Sequence, residues 1–320
     1  MDADAQTSLT APPTAPPPEA GTAGSPATAS SAPATRRMST SAAEQRRPPL
    51  VLFLTAAFGA VIAVTVPFAA GWLSTDLLPA VIPLAQWIPA VCVLAVAGKG
   101  AFGGVSSAVP VRPALWRQFG PLGFTLLVFT AVLAAHLGVA VVTGLVGWSG
   151  SFATAMLVVP VAAGLLLTTI GEEIGWRGYL LSGLRRWGNW GSSLAAALVW
   201  AAWHLPLLAV YVQRGEMSVA TATASTFNLV AGGVLLGMLR WRHGTIWSAA
   251  WGHALMNSLL VWGYGALSTP LDAMEPATFW AFHAIGWAAL SAAAWVASRG
   301  AATARVTATR QRPLRGGTDH

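Results

Sequence analysis

The strongest constraint in this chain is a pair of adjacent carboxylates and an arginine set inside a segment otherwise composed for hydrocarbon. Residues 156–170 are apolar apart from Thr168 and Thr169, and they run directly into Gly171, Glu172, Glu173, Ile174, Gly175, Trp176 and Arg177. An ionised side chain near the bilayer centre costs about 2.5–3.5 kcal/mol even on the lenient insertion scale, so three on one helix total about 10 kcal/mol before pairing. A helix that only spans a membrane has no use for them. On α-helical geometry Glu173 and Arg177 stand at i and i+4 and can pair on one face, while Glu172 is rotated about 100° away toward a neighbouring surface. One carboxylate is neutralised within the helix and the other is left free for chemistry.

The rest of the composition agrees with a membrane setting. The chain has 320 residues, of which 55% are hydrophobic and only 9% charged, against about 25% charged in a soluble globular domain. This predicts an all-α polytopic membrane protein with little mass outside the bilayer. A net charge of +7 raises nucleic acid as a partner, but the arginines lie between apolar spans and in the tails, where positive charge sets topology. No nucleic-acid partner is expected; membrane lipids and a peptide or protein substrate are. The single cysteine, Cys92, excludes an intramolecular disulfide, a paired-thiol redox motif or a multi-thiolate metal site, and reads as a small buried hydrophobe.

Residues 1–46 are rich in Ala, Pro, Ser and Thr, with Pro tracts at Pro12-Pro13 and Pro16-Pro17-Pro18. Such a segment buries too little apolar surface to offset its chain entropy and is expected to be a disordered tail without a cleavable signal. A transmembrane domain follows over 47–300, then a basic cytoplasmic tail over 301–320. Eight segments are long enough to cross about 30 Å of hydrocarbon. They lie near 50–72, 77–98, 119–147, 153–183, 191–212, 219–240, 245–264 and 276–298.

The loops support that count independently. Arg36, Arg37, Arg46 and Arg47 precede the first span; Lys99, Arg112 and Arg117 lie between the second and third; Arg185 and Arg186 follow the fourth; Arg240 and Arg242 follow the sixth; five arginines end the chain. Sixteen of the eighteen Lys and Arg fall on one side, Arg214 and the intramembrane Arg177 being the exceptions. By the positive-inside rule that side, with both termini, is cytoplasmic, which predicts a multi-pass protein of the cell membrane. The Ala-rich, Lys-poor composition suggests a bacterial source.

Two further spans carry reactive side chains. The fifth reads Trp200-Ala-Ala-Trp203-His204-Leu-Pro206, and the seventh reads His253-Ala-Leu-Met-Asn257, with His253 and Asn257 on one face. From the cytoplasmic ends of their spans, Glu172 lies about 16 Å deep, His204 about 20 Å, His253 about 12 Å and Asn257 about 18 Å. All four fall in one slab, so they can converge on a single cavity. A partly desolvated carboxylate suits a general base, a histidine beside it holds and polarises water, and a second histidine with an amide supplies donors to a developing oxyanion. The alternative use of Glu, His and His is as three ligands of a divalent metal such as a catalytic zinc, with one open position. His136, His283 and Asn228 read instead as interhelical hydrogen-bonding residues. His243 reads as a solvated loop residue, and Trp200, Trp203 and Trp251 as packing around the polar groups.

At these residues the chain resembles the CPBP family of intramembrane proteases, which includes the type II CAAX prenyl endopeptidases and bacteriocin-processing or self-immunity proteins. The ordered motifs are Glu172-Glu173-x-x-x-Arg177, Trp200-x-x-x-His204 and His253-x-x-x-Asn257, and the resemblance covers about 150–265. The family often has Phe at the place of Trp200, a departure that bears on packing rather than chemistry. The resemblance implies peptide-bond hydrolysis within the membrane. Glu172 and His204 would activate water, His253 and Asn257 would stabilise the oxyanion, and Glu173 and Arg177 would orient the site. It implies either a metalloprotease or a metal-independent glutamate mechanism, and it also admits a non-catalytic scaffold or bacteriocin-immunity factor of the same fold.

Overall fold

The computed structural model describes residues 50–96, 115–148, 150, 156–262, 267 and 274–310. The expected tail over 1–46, the loop containing Lys99 and Arg112, and residues 311–320 lie outside the described residues. Nine α-helices carry the argument. They are α1 (Leu50–Ala69), α2 (Leu78–Ala85), α3 (Ile88–Val96), α4 (Phe119–Val142), α5 (Val158–Glu173), α6 (Gly188–Gln213), α7 (Val219–His243), α8 (Ile246–Leu255) and α9 (Pro276–Arg310). There is no β-strand among the described residues. The protein is an all-α polytopic membrane protein.

Five helices are individually long and apolar enough to cross a bilayer, and the segment 75–96, bent by 43° between α2 and α3, makes a sixth if it crosses as one span. The other two expected spans take another form. Helix α5 runs without interruption into a π-helical segment, Ile174–Leu180, and α8 runs into a second one, Met256–Trp262. A π turn closes its hydrogen bonds at i+5 and widens the helix locally, and such turns occur frequently at functional sites. Here the two widened turns carry Arg177 and Asn257, and both sit beside the polar residues singled out above. At the far end of the chain, α9 extends to Arg310, so the first ten residues of the expected basic tail continue the last helix.

Local sequence sets the height of each site residue. Gly244, at φ 71°, ends α7 in the left-handed region that an L side chain rarely adopts. Thr245 then caps α8 by accepting from the Trp247 amide at 3.3 Å. The chain therefore reverses in two residues, and His253 enters the core eight residues beyond that cap. His243, expected in a solvated loop, is instead the last residue of α7, half-buried and edge-on to Phe124 with ring centroids 5.5 Å apart. Helix formation reached further than the Arg-rich sequence suggested, because the Gly–Thr turn and not the charge ends it.

Close backbone approach brings these elements together. A side chain at Gly171 would put its first carbon 2.7 Å from the Gln86 carbonyl oxygen and 2.8 Å from the Trp87 Cα; at Gly175 it would lie 2.3 Å from the Pro89 Cβ. The two glycines flank Glu172 and Glu173, one turn apart, and let the bend between α2 and α3 press onto the carboxylate-bearing turn. Membrane helices associate by such contacts, since lipid leaves little hydrophobic drive between them. On the opposite side, Gly233 of α7 packs on Ala197 and Trp200 of α6 in the same way, with 2.8 Å and 3.1 Å to the carbon it lacks. Trp203 ties α6 to α1, its indole N–H donating to the Ala57 carbonyl at 3.0 Å. The expected effect of Gly175→Ala is a loss of about 1–3 kcal/mol from overpacking, read as a lowered unfolding midpoint in detergent, with an exposed control such as Gly59→Ala unchanged.

Candidate active site

Glu172, Glu173 and Arg177 are all buried, with at most 1% of their surface exposed. Arg177 Nη1 donates to Glu173 Oε1 at 2.8 Å, across one turn. The contact is single: among the described residues Glu173 Oε2 and Arg177 Nε have no hydrogen-bond partner, while the same Oε1 also faces His253 Nδ1 at 3.0 Å. Arg177 Nη2 reaches the Gly233 carbonyl at 3.4 Å. One carboxylate oxygen thus joins the π turn after α5 to α8, and the guanidinium joins both to α7.

Glu172 points elsewhere, as its position on the helix requires. Its Oε2 accepts the indole N–H of Trp200 at 2.5 Å. The guanidinium carbon of Arg177 lies 4.4 Å from the centre of that same ring. Trp200 also meets His204 and His253 edge-on, with centroids 5.2 Å and 5.1 Å apart. The sequence reading gave Trp200 a packing role, and this contact amends it: phenylalanine fills similar space but has no N–H to give the carboxylate. An aromatic at that position was visible in the sequence; which edge of it met a charge depended on tertiary placement.

The histidine tautomers follow from their partners. His204 Nδ1 lies 2.9 Å from the Trp200 carbonyl oxygen, which can only accept, so Nδ1 carries the proton. Nε2 then holds a lone pair when the ring is neutral. His253 donates from Nδ1 to Glu173 Oε1, leaving Nε2 in the same state. Glu172, His204, His253 and Asn257 line one cavity of about 710 Å³, together with Trp200, Trp203 and Gln86. Glu173 and Arg177 do not line it; they stand behind His253 and Trp200 and hold them. The cavity also reaches three residues that the sequence reading assigned to helix contacts, His136, His283 and Asn228.

A catalytic zinc needs three ligands meeting at one point. Among the described residues no group of three His, Cys, Asp or Glu side chains is arranged to hold a metal. Glu172 Oε2 is taken by the indole, and Glu173 by a cation. The described residues do not fit a resident zinc.

Residues 153–259, which hold all three motifs, match the family model for the Rce1-like type II CAAX prenyl endopeptidases. Over 64 residues the chain is 39% identical to the CAAX prenyl protease 2 of Methanococcus maripaludis; the match takes in 20% of this chain and about a quarter, 24%, of that relative's length.

The ion pair can be tested without any substrate. Arg177→Leu leaves a buried carboxylate without its cation and is expected to cost about 3–5 kcal/mol. Adding Glu173→Gln should restore a substantial part, since the two charges are then removed together. Unfolding free energies in detergent for the two single variants and the pair form the cycle, and simple additivity would contradict the coupling.

Proposed function

We propose that the protein is an intramembrane endopeptidase of the cell membrane, with both termini cytoplasmic and eight crossings when the two helix–π segments are counted. Its substrate is a membrane-associated or C-terminal peptide. The observation that carries this reading is the shared cavity: a carboxylate, two imidazoles and one amide line the same space. The name of the relative, CAAX prenyl protease 2, supports the same chemistry, as does the cavity's apolar wall of Val61, Val64, Leu78, Ile82, Leu207 and Leu208. That wall suits apolar side chains or a lipid-modified residue.

Glu172 and His204 hold a water, each accepting one of its protons in a hydrogen bond. The Trp200 indole fixes Glu172 Oε2, leaving Oε1 to act as the base. The water oxygen adds to the peptide carbonyl carbon as its proton passes to Glu172. Asn257 donates to the oxyanion from its amide, and His253, its Nδ1–H held by Glu173, lines the pocket beside it. As the C–N bond breaks, the proton on Glu172 moves to the leaving nitrogen. Glu173 and Arg177 position His253 and Trp200 and touch no reacting atom.

Glu172→Gln is expected to lower turnover of a membrane-tethered peptide by about 10²–10⁴-fold, and His204→Ala to do likewise, both with unchanged unfolding midpoints. Full turnover in Glu172→Gln rules out the general base. A cellular phenotype that survives both substitutions favours a scaffold or immunity factor of the same fold.

Trp200→Phe separates packing from hydrogen bonding. It removes one bond to a charged group, about 1.5–3 kcal/mol, and if that stabilisation acts in the transition state, turnover falls about 10- to 100-fold. Unaltered kcat in a well-folded Trp200→Phe protein would return Trp200 to a packing role.

A further inference from the structure

The cavity that holds Glu172 does not end at the catalytic groups. Its wall continues onto α7 and α9 with Ser225, Asn228, His283 and Gly286. This part is built as firmly as the other. Trp287 Nε1 donates to Asn228 Oδ1 at 2.7 Å. An indole N–H can only donate, so the amide is locked with oxygen toward Trp287 and its NH₂, carrying two donors, turned away. Among the described residues that nitrogen makes no hydrogen bond. Ser225 stands one turn earlier on the same face of α7 and adds a hydroxyl.

His283 faces the same space from α9. Its ring packs on Phe279 at 4.5 Å and lies nearly parallel to Trp287, 6.1 Å away at 25°. Among the described residues neither ring nitrogen makes a hydrogen bond. Beside it, His136 Nε2 donates to the Phe282 carbonyl at 2.7 Å, with its ring seated against Gly286, where a Cβ would lie 2.7 Å from Cε1. Two packed anchors, Trp287 on Asn228 and His136 on α9, therefore hold a half-buried polar wall of Ser225, Asn228 and His283 on the cavity. The Asn228 amide N–H groups and the Ser225 hydroxyl line a largely apolar cavity, so the occupant that suits this wall carries acceptors. Among the described residues no Lys or Arg lines the cavity, so this wall lacks the fixed cations that a phosphate site uses.

We propose that Ser225, Asn228 and His283 form a second subsite that binds oxygen acceptors of the peptide, a main-chain carbonyl or the terminal carboxylate, and sets which bond lies over Glu172. The assignment rests on the peptidase reading for the identity of the ligand, although the donor wall exists without it. Asn228 and His283 touch the bound peptide and not the reacting bond, so they act on KM in preference to kcat.

The test uses the full-length protein in detergent and two forms of one tethered peptide, with a free C-terminal acid and a C-terminal amide. Two variants preserve the packing: Asn228→Asp keeps the acceptor for Trp287 but replaces donors with an acceptor, and His283→Phe keeps the ring stack. Each is expected to raise KM about tenfold, the equivalent of one lost hydrogen bond, with kcat within about twofold. If the acid outbinds the amide in the unsubstituted protein and Asn228→Asp removes that preference, the acceptor is the terminal carboxylate. If both forms weaken equally, it is a main-chain carbonyl. Wild-type KM for both peptides in both variants overturns the subsite and leaves the peptidase reading intact. Peptide binding to the Glu172→Gln protein, followed by fluorescence of a label on the peptide, separates the two ideas in the other direction: loss of binding in Asn228→Asp without any hydrolysis by the unsubstituted protein keeps the subsite and ends the peptidase reading.

Discussion

A single oxygen, Glu173 Oε1, carries the heaviest constraint in the molecule. Between helices that lipid alone would not hold together, it accepts from Arg177 and faces His253. A carboxylate buried without water needs its countercharge close by, and the geometry of that countercharge then fixes its surroundings. Arg177 takes the Gly233 carbonyl, which draws α7 close; α7 approaches so near only because positions 233 and 237 lack side chains that would strike Ala197 and Ser193. The expensive charge and the small-residue packing are two halves of one requirement.

Trp200 extends that requirement to the second carboxylate, Glu172. An aromatic ring is electron-rich on its face and electron-poor at its edge. Arg177 lies over the face and Glu172 accepts at the edge, so one neutral side chain stands between a cation and an anion and satisfies both. The face contact is worth about 0.5–2 kcal/mol, whereas a hydrogen bond to a charged group is worth about 1.5–3 kcal/mol. The edge interaction is therefore the larger of the two, and it is the one an all-carbon aromatic loses. Packing and chemistry share the residue here, which is why a reading by side-chain size alone assigned it only half its role.

Legibility in the sequence followed the range of each interaction. The apolar lengths, the one-sided arginines and the i, i+4 spacing of Glu173 and Arg177 are local, and they led to an all-α membrane fold and to that ion pair. The π turns after Glu173 and Leu255 leave no local mark, because widening a helix by one residue per turn changes neither its hydropathy nor its composition. They also explain why two expected spans are not single long α-helices. The depth estimate put Glu172, His204, His253 and Asn257 in one slab, a statement about height only. That they line one cavity depends on the glycine contacts of α5 with the bend at Gln86 and Trp87. His283 and Asn228 were weighed one at a time, as lone polar residues in apolar helices, and their common wall emerges only when α7 and α9 are side by side.

The hydrogen-bonding sense of the cavity follows from groups outside it. His204 and His253 both spend Nδ1–H on fixed acceptors, the Trp200 carbonyl and Glu173, so their neutral rings and Glu172 together offer acceptors at one end. Trp287 spends its only donor on Asn228, so the amide offers donors at the other. A peptide presents N–H and C=O groups in fixed alternation and, at its end, oxygens alone. On the proposed reading, walls of opposite sense give a peptide one favourable direction, its oxygen-rich end toward Asn228 and its N–H groups and the attacking water toward Glu172. Direction of entry would then be set by residues that never touch the reacting bond, before any proton moves.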